Sequence, residues 1–194
     1  AMAMKNQHYS SFDEYLENVA DALRVEYQAA IDAGLILQID APDLALERHI
    51  TYAQKPVEDF VVFVRKVIGQ INRVLDGIPR DRVRLHVCWG NYESPHDQDV
   101  PLRDIADAIL EADVGAFMMP FANPRHAHEI KVFREHKLKP DQSLLVGVID
   151  TQTNYIEHPE VIADKLELAA DVIGDPGRIM AGTDCGFDTS AGMG

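Results

Sequence analysis

A chain of 194 residues, 46% hydrophobic and 26% charged, has the size and composition of one soluble globular domain with a sizeable core. Its 32 acidic against 18 basic residues give a net charge of −14, a surface that repels phosphate backbones and anionic bilayers and so excludes nucleic acid and membrane as expected partners. No run approaches the roughly 18 consecutive apolar residues of a spanning helix, and the N-terminus lacks the apolar stretch of a signal peptide.

Residues 1–10 read as a disordered tail or tag remnant, with Met4 as a start, and 11–194 as the catalytic domain. Two cysteines without a leader suggest a reducing cytoplasm, where a structural disulfide is not expected. Ser11 and Glu14 form a capping box, and Phe12, Tyr15, Leu16, Val19 and Leu23 follow at helical spacing, predicting a helix that closes near Gly34. The run 35–39, ending at Asp40, reads as a strand buried on both faces. Pro56 suits a first helical position ahead of an apolar stripe of Val57, Phe60, Val61, Val64, Ile68, Ile71 and Leu75. Then come a strand over 83–88, a helix over 101–111, a strand over 114–119 and a helix over 124–136. A strand over 144–149, a helix over 159–173 stopped by Gly174 and Pro176, and a strand over 178–182 complete the series.

Continuous apolar strands alternating with amphipathic helices predict a parallel sheet in an α/β domain. A closed eight-stranded barrel takes about 250 residues, so the domain is either an open five-stranded sheet or a piece of a barrel. The second reading is preferred, because the last strand has no helix after it to cover it.

Functional groups in α/β folds collect at the C-terminal ends of strands. The strand ends here carry Asp40, then His86 and Cys88, then 123–126, then Asp150, then Asp184 and Cys185. His86 and Cys88 stand at i and i+2 of one strand, so both face the same side while Val87 packs away. In a barrel, Cys185 from another strand end converges on them, giving one nitrogen and two sulfur donors with a position left open, the pattern of a catalytic Zn2+ site. Two thiolates blunt the Lewis acidity of zinc, which disfavours hydrolysis and suits activation of a thiol that then attacks a carbon electrophile. A structural or redox thiol pair is the alternative use of the same residues.

The stretches Leu37-Gln38-Ile39-Asp40-Ala41-Pro42, His86-Val87-Cys88, Gly147-Val148-Ile149-Asp150 and Asp184-Cys185-Gly186 resemble the C-terminal catalytic barrel of cobalamin-independent methionine synthases. They are closer still to shorter bacterial relatives, including those similar to epoxyalkane–coenzyme M transferases. The resemblance implies a TIM-barrel type (β/α)8 fold, of which this chain supplies about the last five strands. It implies zinc ligands at His86, Cys88 and Cys185, and an aspartate at Asp40 that holds the amino group of homocysteine, although a plain strand-end cap accounts for Asp40 equally well. Asp150 and Asp184 fall on motif positions of the catalytic site, in orienting roles. Two positions depart from the family: Pro120 stands where methionine synthases place a glutamate near the zinc, and Gln152 stands where they carry a histidine.

Asn123, Arg125 and His126 lie past a strand end, where Arg125 or His126 could contact an anionic group of the substrate. A Pro-started helix with a solvated first turn explains the same residues. Trp89 follows Cys88 and either walls the pocket or packs in the core. His8, His49, His96, His136 and His158 have no partner readable from sequence and are taken as surface residues. The expected function is a cytoplasmic, zinc-dependent transfer of a methyl or alkyl group from a donor to a small thiol, homocysteine by family, in methionine biosynthesis. The alternative is a non-catalytic zinc-binding barrel fragment or a degenerate family member. Exposed edge strands predict a homo-oligomer or a longer chain.

Overall fold

The computed structural model describes residues 4–92 and 95–187. Ser11 caps α1 (Phe12–Asp32): its hydroxyl accepts from the Glu14 amide, and Glu14 reaches back to the amide of Ser10. Gly34, at φ 79°, turns the chain out of the helix as expected of a left-handed cap. The expected tail is only partly described. Residues 1–3 lie outside the described residues, and within 4–10 the Asn6 side chain accepts from the amides of His8 and Tyr9.

The remaining elements alternate as predicted: β1 (Leu37–Asp40), α2 (Val57–Leu75), β2 (Val83–His86), α3 (Leu102–Ile109), β3 (Ala116–Met119), β4 (Ser143–Ile149), α4 (Pro159–Ile173) and β5 (Ile179–Thr183). The five strands pair in parallel, in the order of the sequence, β1-β2-β3-β4-β5. A sheet that never reverses its strand order keeps every right-handed crossover, and so every helix, on one side. This is the winding of a barrel wall, and it differs from a doubly wound sheet, which switches direction midway.

Alternate strand residues define the two faces. Ile39, Leu85, Phe117, Met119, Val146 and Val148 point toward the helices and join Phe60, Phe63, Val64 and Ile68 of α2 in the main core. Each such side chain contributes about 1.5–3 kcal/mol by leaving water. The opposite face, which lines the interior of a closed barrel, holds only a small cluster of Ala116, Met118 and Leu145.

Two expectations change here. The strand ending at Asp40 is not buried on both faces: Gln38 and Asp40 are exposed, because β1 lies at the sheet edge and nothing covers its inner face. The helix expected over 124–136 is instead a 3-10 helix, Ala127–Arg134. Its buried residues include the pair Ile130 and Phe133, and His126 just before it pairs with Glu129. This three-residue spacing stacks in register on a 3-10 helix, and the α-helix winds past it.

Candidate metal centre

β2 ends at His86, and the ladder continues one residue further, where the Val87 amide donates to the Met118 carbonyl. This keeps the backbone extended, so His86 and Cys88 share the inner side while Val87 is fully buried in the core. From the far side of the sheet, Cys185 follows β5. Among the described residues, one nitrogen of His86 and the sulfurs of Cys88 and Cys185 lie within 4.8 Å of one another and form the one cluster of this kind.

The two Sγ atoms are 3.8 Å apart, and both cysteines are free thiols. A disulfide requires about 2.05 Å. Two sulfurs each about 2.3 Å from one tetrahedral zinc stand about 3.8 Å apart. The donor set therefore fits a metal ion of this type.

The surrounding groups fix these donors. Asp40 Oδ1 lies 3.2 Å from His86 Nδ1, and the Asp184 carbonyl accepts from Nε2 at 3.2 Å. Burial disfavours the charged imidazole, but the hydrogen bond and charge of Asp40 outweigh it and raise the pKa of His86. Cys88 is pushed up by its contact with Cys185 and by burial, while the same contact draws Cys185 down to about 6. The Gly90 amide donates to Cys88 Sγ at 3.2 Å.

Asp184 acts as a clamp. Its carboxylate accepts from the amides of Ala122 at 2.8 Å and Asn123 at 2.7 Å, tying the end of β3 to the end of β5. Burial pushes its pKa up to about 6 against the pull of those amides. Gly147 makes room for it: a Cβ there would run into Asp184 Oδ1 and come within 3.0 Å of the Met119 carbonyl oxygen and the Phe121 amide nitrogen. Asp150 is bound by Asn123 Nδ2 at 3.0 Å and by the Gln152 amide at 3.0 Å. Gln152 Nε2 donates in turn to the Gly90 carbonyl. These bonds hold three loops around Cys88.

A small cleft opens over the sulfurs, and Trp89, Asn123, Arg125, His126, Asp150 and Gln152 all line it, while Asp40 and His86 lie outside its lining. Trp89 is also a core residue: it is 2% exposed, its indole N–H donates to the Val100 carbonyl, and its ring lies 4.6 Å from that of His126. His126 has both ring nitrogens on carboxylates, Nδ1 on Glu129 at 2.7 Å and Nε2 on Asp99 at 3.2 Å, which leaves it to position its neighbours.

Asp99 is one residue that sequence reasoning missed. Its carboxylate meets His96 Nδ1 at 3.1 Å, His126 at 3.2 Å and Arg125 Nε at 3.4 Å. Burial raises its pKa, and the hydrogen bonds of the two histidines outweigh burial and lower it. Only the local spacing of His96 and Asp99 hinted at this. Four histidines taken as surface residues have partners: His96, whose side chain is fully buried, pairs with Asp99; His49 Nδ1 lies 4.0 Å from the same carboxylate; His136 pairs with Asp107 at 2.6 Å; and His158 caps α4 by accepting from the Glu160 amide.

Comparison with known proteins places this geometry. The family model for the catalytic domain of cobalamin-independent synthase matches residues 5–193. The chain belongs to that family. It is 26% identical over 183 residues to a methionine synthase of Sulfurisphaera tokodaii, covering 94% of this chain and 45% of the relative. A methionine synthase of Methanothermobacter marburgensis is 28% identical over 171 residues, covering 88% and 46%. The solved B12-independent methionine synthase from Shewanella sp. W3-18-1, in complex with selenomethionine, superposes with a TM-score of 0.69 at 19% identity, covering 96% of this chain and 52% of that one. The chain thus spans about half the length of the relatives it matches, and its five strands are an arc of a TIM-barrel type fold. No helix among the described residues is long and apolar enough to cross a membrane.

Proposed function

We propose that this chain carries the thiol-activating half of a zinc-dependent methyl or alkyl transferase, with homocysteine as acceptor and methionine biosynthesis in the cytoplasm as its setting. The observation that carries this reading is the convergence of His86, Cys88 and Cys185 from two separate strand ends, with the sulfurs 3.8 Å apart. These three residues would hold the zinc ion, which supplies one thing: it lowers the pKa of a thiol so that sulfur is a nucleophile at neutral pH.

The chain's own residues do the rest. Asp40 orients the His86 ring, and Asp184 fixes the loop after β3, from which Asn123 lines the cleft. Asn123, Asp150 and Gln152 keep that wall in register with the Gly90 turn. Two sulfur donors lower the acidity of the metal, which favours thiol over water chemistry. The named relatives are methionine synthases, which supports a methyl group as the one transferred.

A second reading is favoured by one feature. The sheet is open at β1 and β5, and the chain spans half the length of its relatives. A unit of this kind binds the metal but requires further strands to hold the donor. Metal analysis followed by alkylation assays with homocysteine, coenzyme M and glutathione tests both readings. Turnover by the chain itself supports the first; one metal per chain without turnover, regained in a longer chain, supports the second. Absence of metal ends both.

A further inference from the structure

We propose that Lys165, on a helix outside the sheet, is a positioning residue for the metal centre, acting on Cys185 and His86 through two peptide groups and Asp184. The inference rests on the zinc-transferase reading for the use of that centre, and adds a residue to the apparatus that holds it.

Lys165 belongs to α4, and it lines an apolar groove with Phe121, Ile130, Val146, Val161 and Leu168. Its ammonium reaches the loop after β3 and donates to the carbonyls of Phe121 at 3.1 Å and Ala122 at 3.2 Å. The N–H ends of the same two peptide groups, on Ala122 and Asn123, donate to the Asp184 carboxylate. Each peptide group therefore has a cation at its oxygen and an anion at its hydrogen. A peptide group is a dipole along that direction, so the two charges hold it in the same orientation and polarise the bonds between them. Successive N–H groups aimed at one anion also require both peptide planes to turn together. Phe121 and Ala122 are 2% and 9% exposed, so water does not readily replace a lost partner.

From Asp184 the path to the metal ligands is short. Its amide donates to the Ile149 carbonyl, its own carbonyl accepts from His86 Nε2, and Cys185 is the next residue. Gly147 leaves the carboxylate no room to shift toward β4. Without Lys165, the carboxylate faces two peptide groups held from one side only, and Cys185 loses part of what fixes its distance to Cys88. A charge on the outer layer thus sets the spacing of two sulfurs on the inner one.

The clamp itself is tested without metal. In the metal-free chain, Lys165→Met should speed amide hydrogen exchange at Ala122 and Asn123 about tenfold, and Lys165→Arg, which keeps a cation with N–H donors, should restore most of the protection. Its service to the centre is tested with zinc and cobalt(II). In competition titrations Lys165→Met should bind zinc about tenfold more weakly, the lower end for a residue that acts through the neighbours of a ligand. The visible bands of the cobalt(II)-loaded chain report the angles at the metal, and should shift in Lys165→Met and not in Lys165→Arg. A lysine that only stabilises the fold would lower the urea midpoint and leave zinc affinity and cobalt bands where they are.

If Lys165→Met does not fold, the parent protein decides. Coupling is reciprocal, so zinc must strengthen the bonds of Lys165 as those bonds strengthen zinc. Pulsed acetylation read by peptide mass spectrometry should then modify Lys165 more slowly in the zinc-loaded chain than in the metal-free one, while the exposed Lys131 and Lys137 react alike in both. A parent that binds no zinc ends the transferase reading and this proposal together. A parent that binds zinc overturns this proposal alone in any of three cases: folded Lys165→Met matches it in affinity and cobalt spectrum, exchange at Ala122 and Asn123 is unchanged, or Lys165 is acetylated equally with and without zinc.

Discussion

Cys88 and Cys185 are separated by 97 residues of chain, yet their sulfurs lie 3.8 Å apart as free thiols. Each follows a different strand, and the strands between them hold that distance through their ladders. That separation is the one two sulfurs have on a single tetrahedral ion, and the His86 imidazole lies beside the pair.

The first prediction concerns that ion. Purified protein should carry about one zinc per chain, and Cys88→Ser or Cys185→Ser should each abolish stoichiometric binding, read by atomic absorption after dialysis. If zinc binds the folded chain and not the unfolded one, a hundredfold excess over its Kd should stabilise the fold by about 2.7 kcal/mol. A melting temperature indifferent both to zinc and to chelator would remove the metal centre from the account.

The second prediction uses Gly147. A Cβ at this position would collide with Asp184 Oδ1 and crowd the backbone at Met119 and Phe121. Gly147→Ala should therefore lower stability by about 1–3 kcal/mol, the usual range for overpacking. Because Asp184 adjoins Cys185, the same variant should also bind zinc more weakly. Urea denaturation and a competition assay with a zinc indicator measure the two effects separately; loss of neither would mean that the clamp is not tight.

How far these residues were legible in the sequence follows from what each depends on. His86 and Cys88 could be paired because the two-residue period of a strand is a local property, and Cys185 could be added because strand ends in α/β folds converge. Asp99 was not visible, since its partners His96, Arg125 and His126 come together only when the segment after β2 packs against the segment after β3. Glu129 was missed for a similar reason: its carboxylate accepts from the Leu102 amide at 2.7 Å and so serves the start of α3, a helix whose own cap, Pro101, supplies no side-chain acceptor. Apolar strands signalled a buried sheet but carried no information about edges. Hence β1 was expected to be covered on both faces, and its inner face is open.

The third prediction is a pH dependence. His126 is buried, which alone would lower its pKa, but Asp99 and Glu129 raise it above the ordinary 6.5. A histidine whose folded pKa is raised contributes stability that is complete below about pH 6.5 and is lost as pH rises through the folded value. Asp99 is lowered below its ordinary 3.8, so its contribution is complete above that value and is lost as pH falls through the folded one. Unfolding free energy should therefore decline as pH rises above about 6.5, and Glu129→Gln should flatten that decline. A parent and a variant with parallel profiles above that pH would mean that His126 does not gain its proton from this network.

The last prediction separates two roles for Asp40. Its carboxylate lies 3.2 Å from His86 Nδ1 on a side chain that is 65% exposed. A carboxylate on a ligating histidine fixes the ring and raises its basicity, and removing such a partner typically costs 10–100-fold in metal affinity. Exposure screens the charge, so Asp40→Ala should fall near the lower end, with Asp40→Asn retaining part of the affinity by keeping an acceptor for the ring N–H. The resemblance to methionine synthases instead gives this aspartate the amino group of homocysteine. In that case Asp40→Ala leaves zinc affinity unchanged and weakens homocysteine without weakening thiols that lack an amino group. Zinc competition titrations and thiol binding measured on the same variants decide between the two, and unchanged zinc affinity would end the orienting role.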